Sequence, residues 1–223
     1  MQRTPRTKSN MQLNLIFLGD VAAGKATQSA YFAKKYKLYD FDMGRELTLL
    51  REKQRDVNHI LKKNYDKGIL APTQLCRQIL RDTISSVPKT KGILFDGHPK
   101  MVQEARLARK LLAESGRTKP LVVYITIPVE ETKKRIASRQ GYKGTNTTRR
   151  SDDTLKGLQN RAKYYRINIR QVIKYFSSVY KFERISGMGT PVQVRARIQK
   201  AIDLYIKNNQ PWESQSKLSK KSK

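Results

Sequence analysis

The chain has 223 residues and carries 47 Lys and Arg against 18 Asp and Glu, a net charge of +29. Its single cysteine, Cys76, excludes an internal disulfide and a zinc site made of several cysteines. Its apolar runs are shorter than the roughly 18 residues that a membrane span needs. We therefore expect a cytoplasmic protein without zinc or a membrane partner, built as one α/β domain.

The two ends of the chain differ in composition from the middle. Residues 1–10 hold three basic residues and no apolar core, which predicts a disordered basic arm rather than a secretory signal. Residues 208–223 are polar and lysine-rich, which predicts a disordered basic tail. A single domain over 11–207 is expected between them, and it holds most of the positive charge. That charge fits either a solvated basic surface or attraction to RNA, DNA or another polyanion.

The first apolar segment, Leu13–Leu18, predicts a buried parallel strand, and a helix from Lys25 to about Lys37 follows it. The loop between them fits the phosphate-binding pattern G-x-x-x-x-G-K at Gly19, Gly24 and Lys25, with the expected hydroxyl displaced by one residue to Thr27. Backbone N–H groups at the start of a helix favour an anion, and a lysine can reach nucleotide phosphates. The segment therefore predicts a nucleotide site.

The next part of the chain is polar and largely helical. It is predicted to contain a short strand at 38–41, helices from Asp42 to about Asp66, a Gly/Pro break at 68–72, and a helix from an N-cap at Thr73 to about Ser85. In that last helix Ile79 and Leu80 are expected to face the core, and Cys76 is expected to be buried packing.

The second half alternates strands with helices. It is predicted to contain a strand at 92–96 that ends in Asp96, a helix from Val102, a strand at 121–127, a helix from Pro128, a polar loop at 140–148, a long helix at 155–176, a strand at 180–185, a turn at 187–191 and a helix at 192–207. This alternation predicts a parallel sheet of five strands covered on both faces. An aspartate at the carboxyl end of a parallel strand lies where such sheets bind ligands.

Several of these motifs together resemble the nucleoside monophosphate kinases, adenylate kinase in particular, over about residues 13–206. The family's phosphate loop G-x-x-G-x-G-K-G-T-Q is similar to Gly19–Gln28, with Ala22 and Ala26 in place of glycines. Its D-M-L-R, G-x-L-V-P and D-G-F-P-R segments are similar to 42–45, 68–72 and 96–100. Its spaced lid arginines, with one pair of aspartates, match Arg135, Arg139, Arg150, Asp152, Asp153 and Arg161.

The resemblance implies a P-loop nucleoside monophosphate kinase fold with a helical acceptor-binding lobe at about 42–72 and a short lid at about 140–150. It implies a monomer that transfers the γ-phosphate of ATP to a nucleoside monophosphate, with AMP as the first candidate acceptor. The implied catalytic residues are Lys25, Arg135, Arg139, Arg150 and Arg161. The implied ATP-binding residues are Gly19, Ala22, Ala23, Gly24, Lys25, Ala26, Thr27, Arg135 and Gly189.

The resemblance also implies an acceptor site and a metal site. The acceptor residues would be Asp40, Arg45, Leu70, Gly97, Lys100, Glu104, Arg150 and Arg161. Mg²⁺ would accompany ATP near Thr27 and, through water, Asp96. Lys100 keeps the charge of a family arginine but loses its two-pronged grip.

The identity of the acceptor stays open at this point. Glu104 stands where adenylate kinases place a base-reading glutamine, and a one-residue shift would use Gln103 instead. Tyr39, Asp40 and Phe41 replace the family's S-T-G. CMP, GMP or a broad specificity remain alternatives to AMP. Two other functions also remain open: a kinase-fold protein that mainly binds RNA, for example as part of a ribosome-like particle, and a P-loop kinase of another small molecule.

Overall fold

A computed structural model describes residues 12–63, 71–141 and 155–209 of the chain. In this part, five strands form one sheet in the order β2-β3-β1-β4-β5, and every neighbouring pair is parallel. The strands are β1 Leu15–Gly19, β2 Tyr39–Asp42, β3 Ile93–Asp96, β4 Leu121–Thr126 and β5 Phe182–Ser186. The predicted five-stranded parallel sheet is confirmed.

Helices connect the strands and cover both faces of the sheet. They are α1 Lys25–Lys35, α2 Met43–Lys53, α3 Arg55–Lys63, α4 Thr73–Ser86, α5 Val102–Glu114, α6 Val129–Gly141, α7 Leu155–Val179 and α8 Pro191–Asn209. The predicted helical stretch after β2 is two helices because Gln54 is extended, with φ −133° and ψ 112°.

Two local predictions need correction. Thr73 is not an N-cap: it is the first residue of α4, Pro72 is the cap, and the Thr73 hydroxyl lies 3.7 Å from the sulfur of Met101. The polar loop does not begin at Gln140, because α6 continues through Gly141. The packing predictions for α4 hold, since Cys76, Ile79 and Leu80 are buried.

The sheet separates two apolar cores. Ile16 and Leu18 of β1 belong to a first core, which α4, α5 and α7 cover, and Leu15 and Phe17 belong to a second core, which α1 and α8 cover. Both pairs are fully buried. Successive side chains of a strand point to opposite faces, so a strand covered on both sides must be apolar throughout.

The strand order fixes where a ligand can bind. After β1 the chain adds β3 and β2 on one side, and it then crosses to add β4 and β5 on the other. The carboxyl end of β1 is therefore the switch point, where loops diverge and leave a crevice. The phosphate-binding motif leaves the sheet at this end.

Several predicted regions lie outside the described residues: the basic arm at 1–10, Leu70, most of the lid from 142 onward with Arg150, and the tail from 210 onward. In the described part, no helix is both long enough and apolar enough to cross a membrane.

Candidate active site

The loop after β1 is shaped by close approach to β4. A Cβ atom at Gly19 would lie 2.3 Å from the carbonyl oxygen of Ile125, so only glycine fits there. The next residue, Asp20, donates its N–H to the same carbonyl at 2.9 Å. Gly24 then takes the left-handed conformation, with φ +83°, as the N-cap of α1. The first N–H groups of α1 consequently face the crevice, with no partner inside the helix.

Lys25 reaches back across this loop. Its Nζ atom donates to the carbonyl oxygens of Gly19, at 2.6 Å, and Asp20, at 2.7 Å. It also lies 5.5 Å from the centroid of the Tyr165 ring. The ammonium group is thus held over the loop, where its charge can meet a phosphate.

Asp20 anchors the loop in a way that the motif did not predict. Its carboxylate accepts hydrogen bonds from the Tyr124 hydroxyl at 2.6 Å, the Thr126 hydroxyl at 2.9 Å and the N–H of Ile127 at 2.9 Å. The Tyr165 hydroxyl of α7 accepts from the N–H of Gly19 at 3.0 Å. The one signal in the sequence is an acid inside a phosphate loop, because its negative charge has to be held away from a bound anion.

The loop also carries local strain. Ala22 has φ +63°, a left-handed conformation that costs an L-residue about 1–2 kcal/mol relative to glycine. The neighbouring Ala23 is 3% exposed and packs in the second core. Because Ala22 replaces a glycine of the family pattern, the loop does not relax freely into this shape. The anchoring contacts therefore have to hold it there.

Arg135 ties the phosphate loop to the turn after β5. Its Nε donates to Glu131 at 2.6 Å, and its two terminal nitrogens reach the carbonyl oxygens of Ala22, at 3.4 Å, and Gly187, at 3.1 Å. Arg197 holds the same turn, donating to the carbonyl of Met188 at 2.7 Å. The predicted ATP-binding residues Arg135, Ala22 and the turn with Gly189 thus lie at one place.

Asp96 ends β3 beside β1, and it pairs in register with Asp42 of β2. Burial, followed by the negative charge of Asp42, raises the pKa of Asp96 to about 6, and Lys25 opposes this shift. Two carboxylates at neighbouring strand ends favour a nearby cation. No group of three or more acidic, His or Cys side chains with metal-site geometry occurs in the described residues. The residues fit a hydrated Mg²⁺ that takes most of its oxygen ligands from phosphates and water, as this ion prefers.

Arg45 stands at the start of α2, on the other side of the crevice. Asp42 accepts from the N–H of Arg45 at 3.0 Å and so caps the helix. The guanidinium of Arg45 donates to the Asp40 carboxylate at 3.3 Å and to the Asp40 carbonyl oxygen, and its side chain is 47% exposed. An exposed guanidinium that is preset by one carboxylate can transfer its hydrogen bonds to a phosphate.

Glu104 is buried and bonds to backbone groups at the start of α5. It is 4% exposed, and its Oε2 accepts from the N–H groups of Lys100, at 3.1 Å, and Met101, at 3.3 Å. The same oxygen lies 3.7 Å from Nδ1 of His98, which is fully buried; burial lowers the pKa of His98 to about 4, so the ring is neutral at pH 7. In this arrangement the carboxylate caps α5, whereas Gln103 is exposed.

The remaining predicted residues fall into two groups. Gly97 follows β3, donates its N–H to Phe17 at 2.8 Å, and has φ +62°. Ala26 and Thr27 are exposed in the first turn of α1. Arg139 lies in α6 and Arg161 in α7, but their side chains are outside the described set, and Leu70 and Arg150 are outside it altogether.

Comparison with known proteins agrees with this geometry. The family model described as adenylate kinase matches residues 17–181. The chain is 29% identical over 191 residues to the adenylate kinase of Parabacteroides distasonis, covering 86% of this chain and 98% of that one. It is 28% identical to the adenylate kinase of Phocaeicola vulgatus with the same coverage. It is also 28% identical over 190 residues to the adenylate kinase of Thermus thermophilus, covering 85% of this chain and 97% of that one.

Proposed function

The chain belongs to the adenylate kinase family, and from this membership we propose that its site transfers the γ-phosphoryl group of ATP reversibly to AMP, giving two ADP. It is a nucleoside monophosphate kinase. The observation that carries the proposal is the placement of Lys25 and the phosphate loop beside Asp96, at the switch point of the sheet.

On the donor side, Lys25 and the N–H groups at the start of α1 bind the ATP phosphates. Arg135, which already lies between Ala22 and the Gly187–Gly189 turn, borders the donor and offsets negative charge on the phosphates. Phosphoryl transfer needs positioning and charge neutralisation rather than a covalent catalyst. The loop anchored by Asp20 supplies the positioning.

Mg²⁺ is the cofactor we propose, next to Thr27 and held through water by Asp96. When bound, it offsets charge on the donor oxygens. Asp96 must be ionised for this role, and its raised pKa of about 6 leaves it ionised at pH 7 and above.

On the acceptor side, Arg45 binds the AMP phosphate after leaving Asp40, and Lys100 adds a second positive charge. Gly97 permits the close turn after β3. Glu104 holds the amides of Lys100 and Met101 in place, in addition to the base contact that the family pattern predicts for it. Leu70 would border the base.

The lid is proposed from the family pattern alone. Residues from about 140 to 150 would close over the site, and Arg139, Arg150 and Arg161 would contact the transferring phosphoryl group and exclude water. We propose a monomer that works in the cytoplasm, with an acceptor lobe at about 42–72.

The competing functions receive no support from the comparisons. Family membership supports neither a P-loop kinase of an unrelated small molecule nor a protein acting mainly as an RNA-binding component. Acceptors other than AMP are alternatives that a panel of monophosphates separates.

The decisive experiment is a coupled assay of ADP formation from ATP and each of AMP, CMP and GMP. We expect AMP to give the highest kcat/KM. Lys25→Met should lower kcat/KM by about 10³-fold, since it removes one preorganised charge from the transition state. Lys34 is an exposed lysine near the end of α1, so Lys34→Met is the matched control and should retain activity. Equal activity of Lys25→Met and wild type would refute the proposal.

A further inference from the structure

A second cleft lies beside α7, against the edge strand β5 and the start of α6. Its volume is about 700 Å³. Three cations line it, Arg170 and Lys174 from α7 and Arg184 from β5, and apolar residues including Ile173 form its wall. The lining of α7 extends from Tyr165 to Ser177, about 18 Å along the helix axis. The cleft is therefore a long, basic channel rather than a compact pocket.

The three cations have no acidic partner in the described part of the chain. No described carboxylate lies within 4.0 Å of them. Asp20 also lines the cleft, but its carboxylate already accepts three hydrogen bonds from β4 and the residue after it. The sequence of α7 contains six Lys and Arg and no Asp or Glu. The lining of the cleft therefore carries three positive charges against the one negative charge of Asp20, and its net charge is positive.

The cleft is on a different face of the sheet from the donor turn. Gly187 packs against the side chains of Ile125 and Ile127, which belong to the second core. Arg184 instead lies over Tyr124, which belongs to the first core, and Arg170 and Lys174 belong to α7, which covers that core. The cleft begins at Asp20 and Tyr165, which also hold the phosphate loop, but Arg170 and Lys174 lie beyond them along α7, and Arg184 lies on β5. A ligand bound by these three cations therefore need not displace the nucleotide whose phosphates Lys25 binds.

The chemistry favours a chain of phosphates over a single anion. Arg170 and Lys174 are four residues apart, which places them on one face of α7 about 6 Å apart. The Arg184 guanidinium lies 5.4 Å from the Tyr124 ring centroid and 5.8 Å from that of Phe182, and these rings hold it in place across the cleft. A row of cations over an apolar wall suits a polymer with repeated charges and apolar base faces.

We propose that this cleft binds the sugar–phosphate backbone of a single-stranded nucleic acid while the kinase site stays available to nucleotides. The net charge of +29 exceeds what two nucleotide substrates need, and three of the positive charges lie together in the cleft. Phosphate contacts of this kind carry no sequence information, so binding is expected to be independent of sequence and steep in salt.

The test compares two triple variants that remove the same charge. One is Arg170→Gln, Lys174→Gln, Arg184→Gln in the cleft. The other is Lys34→Gln, Lys200→Gln, Lys207→Gln, exposed lysines of α1 and α8 on the opposite face. Binding of a fluorescent oligouridine to the full chain is measured by anisotropy across a salt series.

We expect the cleft variant to bind about tenfold or more weakly, with the slope of log K against log salt reduced by about 2, and the lysine control to bind nearly as wild type does. Both should keep kinase activity, which shows that they fold. Saturating ATP and AMP should leave oligouridine binding unchanged. Equal weakening in the two variants, or no binding at low salt, would overturn the proposal. So would displacement of oligouridine by polyglutamate at equal charge, since that would indicate a surface for acidic proteins.

Discussion

The donor and acceptor sides of this site are built on different principles. The donor loop is held by the sheet and two helices: Asp20 by β4, Gly19 by Tyr165 of α7, and Ala22 by Arg135 of α6. The acceptor side is held by short-range contacts, with Arg45 bonded to Asp40 and Glu104 bonded to the turn just before it. Contacts between distant elements thus anchor the donor side, whereas contacts between residues close in sequence hold the acceptor side.

This difference follows from what each side must recognise. A triphosphate chain is bound by backbone groups, whose positions depend on the whole loop, so the loop has to be preorganised. A monophosphate is bound by side chains such as Arg45, which can rearrange one at a time. Departures from the family pattern occur on both sides, at Ala22 and Ala26 in the donor loop and at Tyr39–Phe41, His98 and Lys100 on the acceptor side.

Asp96 lies between the two sides, at the end of β3 between β1 and β2, and among the variants compared below its removal should give the largest effect. Asp96→Asn should lower kcat by about 10²–10³-fold, because it loses the charge that would hold the hydrated metal ion. ADP formation at saturating ATP and AMP is the measurement. Asp203→Asn, an exposed aspartate of α8, is the control and should retain activity.

The same substitution should stabilise the fold at neutral pH. The pKa of Asp96 is raised from 3.8 to about 6, so the native state binds the proton more tightly than the unfolded state does. The ionised carboxylate therefore lowers the free energy of unfolding by about 2–3 kcal/mol above about pH 6, and this penalty is absent below pH 4. Asp96→Asn should therefore unfold at a higher temperature than wild type at pH 8 but not at pH 4. An identical difference at both pH values would contradict the burial argument.

Arg45 tests the acceptor side alone. Arg45→Gln should raise KM for AMP by about 10–100-fold, which corresponds to the loss of a charged hydrogen bond, and leave KM for ATP unchanged. The helix should stay intact, because Asp42 caps the backbone N–H of residue 45 and not its side chain. Initial rates over both substrate concentrations give the two constants.

Two further variants complete this comparison. Arg45→Lys should recover part of the affinity through its charge, but not the two-pronged contact. Lys53→Gln, at the exposed end of α2, should resemble wild type. A rise in KM for ATP instead of AMP would show that Arg45 acts on the donor side, which contradicts its proposed role in binding AMP.

The sequence predicted the parts of this molecule that depend on local pattern. Alternating apolar strands and helices predicted the five-stranded parallel sheet, and glycine with lysine after β1 predicted the phosphate loop. Asp96 was predicted at the carboxyl end of β3, because that position depends only on the strand before it. None of these features depends on which elements contact each other in the fold.

Contacts between distant elements could not be predicted. The partners of Asp20 lie more than 100 residues away in β4, and the Tyr165 hydroxyl comes from α7. An aromatic residue at helical spacing predicts only core packing at Tyr165, since periodicity does not show that a hydroxyl reaches a backbone amide. The Glu104 cap could have been foreseen, because a glutamate three residues after an N-cap position is a known helix-start signal. The family pattern instead predicts a base contact at this position.

Asp20 is the sharpest test of the donor side, and its expected effect is the smallest. Asp20→Asn keeps the shape but leaves one of its three donors without an acceptor, so KM for ATP should rise about tenfold while KM for AMP stays unchanged. Tyr124→Phe removes a single donor and should give a smaller rise in the same direction. Loss of a negative charge near the phosphates works the other way and would tighten ATP binding. A lower KM for ATP in Asp20→Asn would therefore show that charge, and not the position of the loop, dominates on this side.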